Sequence, residues 1–265
     1  MGKTIGIVSL KGGVGKTSSV AALGAAMAEI GKKTLLIDGN FSAPNLGVHL
    51  DVLDPVHTIH DVLEGKIHLS EAIHELPGFN FHLVPASMAR RQINPLKLKD
   101  KLKIVKRSYD SILLDSSPAL NDETLAVMLA SDYLLVVSTP DYATLGNTLQ
   151  AIKLARQRGT PIAGLIINKV YGKRFELPIE AIENASGVPV MAVIPHDIKI
   201  LEALSEARPS TVYRPNSKAS KEYRKLAATL VGEKENPVKL KKFLRWVSPK
   251  QQEINREIFY NRVFG

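Results

Sequence analysis

The feature that most constrains this chain is a glycine-rich run near its amino-terminal end, Lys11-Gly-Gly-Val-Gly-Lys-Thr17. The run directly follows an apolar segment typical of a buried strand and precedes a segment with helical spacing. Glycines at these positions let backbone N–H groups curl around an oxyanion, and the amino terminus of the following helix adds partial positive charge. A strand, such a loop and a helix in this order predict a phosphate-binding site in an α/β sheet.

The residue types within the loop indicate a nucleotide. Lys16 is expected to neutralise the β- and γ-phosphates, and Thr17 is expected to offer its hydroxyl to Mg²⁺. The residues predicted to contact the nucleotide from this loop are Lys11, Gly12, Gly13, Val14, Gly15, Lys16, Thr17 and Ser18.

The amino-acid composition excludes several other kinds of functional site. The 265-residue chain has no cysteine, which excludes thiolate metal sites, iron–sulfur clusters, disulfides and cysteine nucleophiles. Its formal charge of +9 favours an acidic partner, such as a nucleotide, a nucleic acid or an anionic membrane. The absence of cysteine, of a secretory signal and of a membrane-spanning run predicts a cytoplasmic location.

Apolar runs alternate with helical segments over residues 1–231, and this predicts an α/β fold with a doubly wound, mostly parallel sheet and helices on both faces. The predicted strands are Thr4 to Ser9, Thr34 to Asp38, Phe81 to Pro85, Ser111 to Asp115, Tyr133 to Ser138, Ile162 to Ile167 and Val188 to Ile194. The predicted helices are Lys16 to Ile30, Leu96 to Arg107, Asn121 to Ala130, Ala143 to Arg158, Leu177 to Ala185 and Ser217 to Val231.

The loop departs from the general P-loop pattern in two places. Leu10 stands where that pattern has its first glycine, and a second lysine, Lys11, precedes the double glycine. This variant resembles the deviant Walker A ATPases of the MinD/ParA family, and the wider pattern is nearest to the MinD-like positioning ATPases. The resemblance implies ATP and ADP as ligands, and a homodimer with ATP sandwiched between the subunits. It also implies that Lys11 reaches the partner's phosphates and that hydrolysis is coupled to dimerisation.

Two carboxylates follow predicted strands, Asp38 and Asp115. Because ligands gather at the carboxyl ends of parallel strands, both are expected beside the phosphates. By the resemblance, Asp115 is the Walker B carboxylate that holds Mg²⁺ through water, and residues 116–118 are the second switch. The residues predicted to arrange the metal are therefore Thr17, Asp38 and Asp115.

The segment 38–47 resembles the first switch of the family, with one departure. The family commonly has an aspartate where this chain has Asn40, and that aspartate positions or activates the attacking water. An amide can orient water through its carbonyl but cannot accept a proton at neutral pH. We therefore predict ATP hydrolysis that is slow without an activator. The predicted catalytic residues are Lys11, Lys16, Asp38 and Asn40.

The adenine base is expected on late loops. Asn168 lies at the tip of a predicted strand, and its counterpart in the family contacts the base. Pro195 and Asp197 lie in a segment that resembles the family's other base-side loop.

The composition changes after residue 231. Residues 232–237 have linker character, and residues 238–265 form a basic amphipathic tail with seven basic and two acidic residues. Leu240, Phe243, Leu244 and Val247 follow helical spacing and define one apolar face. Such a short helix needs a surface to fold against, which leaves three options: an anionic membrane, its own domain or a partner subunit, and nucleic acid.

Together with these observations, the resemblance implies a MinD-like ATPase switch that positions cellular machinery, at the division site or a similar place, on the inner face of the cell membrane. Its partners would be a second copy, the membrane through residues 238–265 and an unidentified activator or cargo protein. The alternative is a ParA-like partition ATPase that binds DNA non-specifically when dimerised by ATP. A basic run supports that alternative: Lys97, Lys99, Lys101, Lys103, Lys106 and Arg107.

Overall fold

A computed structural model describes residues 2–89, 91–233 and 249–265. Across these residues the strands form one eight-stranded sheet in the order β3-β4-β2-β5-β1-β6-β7-β8. All neighbouring pairs are parallel except β3 and β4. The strands are β1 (Lys3–Val8), β2 (Thr34–Gly39), β3 (His74–Glu75), β4 (Phe81–Val84), β5 (Ser111–Ser116), β6 (Tyr133–Ser138), β7 (Ile162–Val170) and β8 (Val190–Pro195).

Helices connect the strands and cover both faces of the sheet. In the described residues they are α1 (Lys16–Glu29), α2 (Ile59–Glu64), α3 (Leu98–Val105), α4 (Asp122–Ala130), α5 (Tyr142–Gln157), α6 (Ile179–Ser186), α7 (Ile198–Ser205), α8 (Ser210–Tyr213), α9 (Lys218–Leu230) and α10 (Gln251–Phe264).

The central strands are buried on both faces, as expected for a sheet between two helical layers. Successive side chains of a strand point to opposite faces. Accordingly, Leu36 of β2 packs in one apolar core with α1 and α9, whereas Leu35 and Ile37 pack in a second core with α2, α3 and α4. The predicted fold class, a doubly wound and mostly parallel α/β sheet, is confirmed.

The sequence-based prediction missed four short elements. The two-residue β3 adds an antiparallel edge, and α2, α7 and α8 have eight residues or fewer. Elements of this length present too few positions for a periodic pattern. One local signal was present, because Thr58 and Asp61 form a capping box at the start of α2.

The carboxyl-terminal helix α10 packs on the edge strand β8 and on α9. Its Asn255 Nδ2 donates to Val190 O at 2.7 Å, and its Phe259 ring meets the Tyr133 ring edge-on. The apolar face predicted over residues 240–247 lies outside the described residues, and the division of the chain at residue 231 stays a prediction. Within the described ranges, none of the helices combines the length and apolarity needed to cross a bilayer.

Candidate functional site

The glycine-rich loop joins β1 to α1, and two of its glycines have a backbone conformation that other residues rarely adopt. Gly13 and Gly15 have φ values of 76° and 92°. A Cβ atom on Gly15 would lie 2.2 Å from Asn168 Nδ2, so a side chain there would also have to displace the Asn168 amide. Gly15 is the N-cap of α1, which has no side-chain cap and no acidic residue in its first turn. The helix terminus is therefore open to an anion.

Lys16 and Thr17 at the start of α1 both contact Asp115. Lys16 Nζ lies 2.7 Å from Asp115 Oδ1, and Thr17 Oγ1 donates to Asp115 Oδ2 at 2.6 Å. Asp115 belongs to β5, which lies between β1 and β2 in the sheet, and this strand order brings the carboxylate under the loop. Both members of the ion pair are buried, since their side chains are 7% and 1% exposed.

Asp38 organises the segment that follows β2. Its carboxylate accepts hydrogen bonds from the backbone N–H groups of Asn40, Asn45 and Leu46 at 2.9 to 3.0 Å. Asp38 pairs in register with Asp115 on the neighbouring strand. Burial, followed by the charge of Asp115, raises the pKa of Asp38 to about 7, although the N–H donors and Lys16 oppose this shift. The Asp38 carboxylate therefore holds the backbone of segment 38–47 through these three hydrogen bonds. It lies beside the ion pair of Lys16 and Asp115.

The amide of Asn40 is oriented by a local contact. Its Nδ2 donates to Ala43 O, whereas its Oδ1 is buried and has no hydrogen-bond partner among the described residues. Asn40 lines the cavity at the loop. An unpartnered buried acceptor is costly, so this carbonyl oxygen is suited to accept from a water or ligand in the cavity.

Lys11 differs from Lys16 in its exposure and in its partners. Lys11 Nζ donates to Thr144 Oγ1 at 2.6 Å and lies 3.5 Å from Asp141 Oδ1, with 38% of its side chain exposed. Burial raises the pKa of Asp141, but hydrogen bonds from Thr139 and Thr144, together with Lys11, outweigh it and lower the pKa to about 2. Lys11 therefore rests beside an ionised carboxylate at the mouth of the cavity.

A cavity of about 380 Å³ lies above the loop and brings most of the predicted site together. This volume is within the range of small-molecule sites. All eight residues from Lys11 to Ser18 line it, as do Asn40, Asn168, Pro195 and Asp197. Asn168 Nδ2 donates to Val14 O at 2.7 Å, so the amide braces the loop. Asp197 caps α7 through Lys199 N at 2.9 Å. The roles of these residues toward a nucleotide stay predictions.

Sequence reasoning missed several residues of the cavity. Lys169 Nζ donates to Gly13 O at 2.6 Å, from a residue with a positive φ of 57°. His196 stacks on the ring of Tyr171 at 4.4 Å. The remaining lining residues outside the predicted segments are His49, Ile200, Leu201 and Leu204, whereas Asn45 belongs to the segment 38–47 that resembles the first switch. The leucines had a sequence signal, because they follow helical spacing after Asp197. His49 had none, since its loop has no repeating pattern.

Comparison with known proteins identifies relatives over most of the chain. A family profile described as an AAA domain matches residues 2–162. The chain is 32% identical to the chromosome-partitioning ATPase Soj of Treponema pallidum, over 87% of this chain and 98% of that protein. It is 31% identical to the septum site-determining protein MinD of Thermotoga maritima, over 88% of this chain and 89% of that protein.

Solved structures show the same architecture. The cell division ATPase MinD of Pyrococcus furiosus matches with a TM-score of 0.82 and 35% identity, over 86% of this chain and 97% of that chain. The septum site-determining protein MinD of Pyrococcus horikoshii, complexed with Mg-ADP, matches with a TM-score of 0.82 and 32% identity, over 93% and 100%. The MinC:MinD cell division complex of Aquifex aeolicus matches with a TM-score of 0.79 and 28% identity, over 89% and 98%.

Proposed function

The chain belongs to the MinD/ParA family of P-loop ATPases, and from this premise we propose that it is an ATP-controlled switch of the MinD type. In this proposal ATP and Mg²⁺ bind in the cavity at the start of α1, two chains dimerise around the nucleotide, and hydrolysis returns them to monomers. The dimer positions other cellular machinery at the inner face of the membrane.

The residues around Asp115 fit a nucleotide with Mg²⁺. The hydroxyl of Thr17 and the carboxylate of Asp115 lie together, and oxygen ligands of this kind are those that Mg²⁺ prefers. Thr17 would hold the ion directly and Asp115 through water, and the bound ion would supply charge neutralisation for the phosphates. Lys16, whose ammonium now pairs with Asp115, is the cation that phosphate oxygens would compete for.

The chemistry available to Asn40 favours a slow reaction. Its unpartnered Oδ1 can accept from a water beside the phosphates and so orient it. Its amide cannot take the proton that the attacking water loses. The chain would therefore hydrolyse ATP slowly until an activator completes the site.

The observation that carries the dimer proposal is the position of Lys11. Its ammonium is half-exposed at the cavity mouth, where only Thr144 and Asp141 contact it among the described residues, so it is free to move to a partner's phosphate. Large apolar side chains are exposed on the segments beside the same mouth, as a protein interface requires. They are Leu120, Tyr142, Tyr171 and Phe175, at 64%, 81%, 54% and 78% exposure.

Sedimentation equilibrium with Mg-ATP and with Mg-ADP tests the dimer. We expect a dimer with ATP for the wild-type chain and a monomer for Lys11→Ala, with ATP affinity of the monomer retained. Lys153→Ala, which removes an exposed lysine of α5 that does not line the cavity, is the matched control and should dimerise normally. Dimerisation of Lys11→Ala at the wild-type ATP concentration would contradict the proposal.

Membrane attachment is proposed for residues 238–265, in which four of the seven basic residues lie among or beside the predicted apolar positions 240–247 and suit an anionic lipid surface: Lys239, Lys241, Lys242 and Arg245. Arg256 is not counted among them, because it is buried against Glu222. A dimer would double the attachment and so make it depend on ATP. Because α10 packs on β8, truncation of the whole tail would also uncover the sheet edge. A full-length variant is therefore the better probe.

The membrane test is sedimentation on anionic liposomes with ATP and with ADP. We expect ATP-dependent binding by the wild-type chain and its loss in the double variant Phe243→Glu, Leu244→Glu. The control, Leu53→Glu with Val56→Glu, adds the same charge at two exposed apolar residues of the folded domain. Absence of wild-type binding with either nucleotide would remove the membrane from the proposal.

The alternative is DNA binding of the ParA type, which the Soj relative and the basic α3 region favour. The structure reduces the available charge there, because Lys103 pairs with Asp100 and Lys106 pairs with Asp132. Lys97, Lys99 and Arg107 remain exposed. Retention of the ATP-bound chain on DNA at low salt, lost on raising the salt, would favour this alternative over the membrane.

A further inference from the structure

The first turn of α4 lies between the two segments that flank the candidate site. One begins at the last residue of β5 and covers residues 116–119, and the other begins near the end of β2 and covers residues 38–47. Asn121 and Thr124 contact the first segment, and Glu123 contacts the second. This placement makes the start of α4 a candidate for the element that relates the two segments to each other.

The contacts to the β5 side come from Asn121 and Thr124. Thr124 Oγ1 lies 2.9 Å from Ser117 O and 2.8 Å from Ala119 O, and Asn121 Nδ2 lies 3.3 Å from Ser117 Oγ. Asn121 is also the N-cap of α4, since its side chain accepts from Thr124 N at 3.1 Å. The helix terminus is thus capped without any help from Glu123.

The contact to the β2 side comes from Glu123. Its Oε1 accepts a hydrogen bond from Ser42 Oγ, which lies in the short loop between Asn40 and Ala43. Glu123 is only 7% exposed, and its Oε2 is buried without a hydrogen-bond partner among the described residues. Burying a carboxylate in this way is unfavourable, so local helix capping does not account for it.

The loop that Glu123 holds is the one that orients Asn40. Asn40 Nδ2 donates to Ala43 O across the loop, which leaves Oδ1 as the free acceptor at the cavity. Phe41 is buried and meets the ring of His60 edge-on at 5.9 Å. Among these contacts, the hydrogen bond between Ser42 and Glu123 joins the loop to α4. Since α4 also contacts residues 117 and 119, the Asn40 loop is linked through α4 to the segment that follows Asp115.

We propose that Glu123 is a positioning residue for hydrolysis, which acts through Ser42 to hold the Asn40 carbonyl toward the attacking water. The inference rests on the proposed ATPase function. In this proposal, α4 keeps segments 38–47 and 116–119 in a fixed position relative to each other while water attacks the phosphate. Because Glu123 does not line the cavity, its removal should affect the rate of the chemical step and leave nucleotide binding intact.

The experiment compares Glu123→Ala, Glu123→Gln and Ser42→Ala with the wild-type full-length chain at saturating Mg-ATP. Gln keeps a side-chain oxygen that can accept from Ser42, so it should retain at least about half of the wild-type kcat. Glu123→Ala and Ser42→Ala should each lower kcat about tenfold with KM within about twofold, because the amide loses its fixed orientation. The double variant Ser42→Ala, Glu123→Ala should have a kcat no lower than that of either single variant, because both substitutions break the same contact.

Asp122→Asn is the matched control, because Asp122 is the exposed neighbouring acid in the same helical turn. It removes a charge from the helix terminus without touching Ser42 and should keep the wild-type kcat and KM. Wild-type kcat in both Glu123→Ala and Ser42→Ala would overturn the inference, as would an equal loss in Asp122→Asn. If Glu123→Ala fails to fold, Ser42→Ala decides by itself: a wild-type kcat in that variant overturns the inference.

Failure of the inference can be told from failure of the proposed function. A wild-type chain that binds ATP but does not hydrolyse it, alone or on liposomes, would overturn the proposed function and with it the role of Glu123. Wild-type hydrolysis together with unchanged variants would overturn the role of Glu123 alone.

Discussion

Two buried cations in this protein have opposite surroundings. Lys16 is 7% exposed and pairs with Asp115 at 2.7 Å under the floor of the cavity. Arg256 of α10 is 3% exposed and contacts Glu222 and Met191 O, both at 2.8 Å, between α9 and β8. Lys16 therefore pairs beside open space, whereas protein atoms enclose Arg256.

The difference separates a cation available to a ligand from one used by the fold. A lysine at a cavity floor can exchange a carboxylate for a phosphate with little change in the surrounding protein. An enclosed guanidinium cannot change partners without displacing a helix, because its Nη1 donates to both a main-chain carbonyl and a carboxylate. We expect substitutions at the two positions to damage different properties.

The largest expected effect is that of Lys16→Ala on nucleotide chemistry. Loss of the buried ammonium should lower kcat/KM for ATP about 10² to 10³-fold, because a charge aimed at the phosphates is lost. Stopped-flow binding of a fluorescent ATP analogue and phosphate release measure the effect. Lys32→Ala is the control, since Lys32 pairs with Glu233 outside the cavity. Retained hydrolysis in Lys16→Ala would show that the cavity is not where the reaction occurs.

The next largest effect concerns stability. Arg256→Leu should lower the free energy of unfolding by about 3 kcal/mol, because Glu222 is left in a poorly hydrated position without its partner. Nucleotide affinity of the folded fraction should not change. Urea unfolding and ATP titration measure the two properties, and the exposed Arg262→Leu on the same helix is the control. If Arg256→Leu lost ATP affinity but kept the wild-type free energy of unfolding, the result would contradict the view that Arg256 serves the fold and Lys16 serves the ligand.

Lys16 and Arg256 also differ in how far their surroundings could be predicted from the sequence. The surroundings of Lys16 follow from a local motif, since the loop, the helix terminus and a carboxylate after a strand are all visible in the residue order. The doubly wound sheet was predictable for the same reason, because long apolar runs alternate with helical segments.

The role of Arg256 was not predictable, because its partners on α9 and β8 belong to no recognisable motif, whereas Asp115 does, although it lies 99 positions from Lys16. The same limit applies to Glu123, whose contact with Ser42 spans 81 positions. It applies as well to Lys169, whose contact with the loop depends on a positive φ. Tertiary contacts of single polar side chains leave no periodic trace in a sequence.

A smaller effect is expected on the cavity side from Asn40→Asp, which should raise the ATP hydrolysis rate about tenfold because a carboxylate can accept a proton. The new carboxylate would face Ala43 O, which now accepts from the amide, so some stability should be lost. Single-turnover hydrolysis measures the rate. Asn45→Asp is a close control, since Asn45 also lines the cavity and also donates to Ala43 O. An unchanged rate in Asn40→Asp would contradict our interpretation of this departure from the family pattern.

The smallest expected effect is on the pH dependence of stability, and it compares an enclosed histidine with a histidine that lines the cavity. Burial lowers the pKa of both His60, which is enclosed beside Phe41 and Arg91, and His49, which lines the cavity. A lowered pKa means that the unfolded chain binds more protons, so the free energy of unfolding should fall as the pH drops below about 6.5.

The enclosed histidine should account for more of this pH dependence than the cavity histidine. His60 Nδ1 accepts from Ser87 N at 3.0 Å, and a proton on that nitrogen would face an N–H donor. Urea unfolding between pH 5 and 7.5 should give a flatter profile for His60→Asn, by up to about 1.4 kcal/mol per pH unit, than for the wild-type chain. Asp38, whose raised pKa acts in the opposite direction, contributes equally to both and cancels in the difference. His49→Asn should change the profile less, because water in the cavity can solvate its charged form. Equal changes in the two variants would mean that enclosure does not distinguish the two sites, and the contrast between Lys16 and Arg256 would then require another explanation.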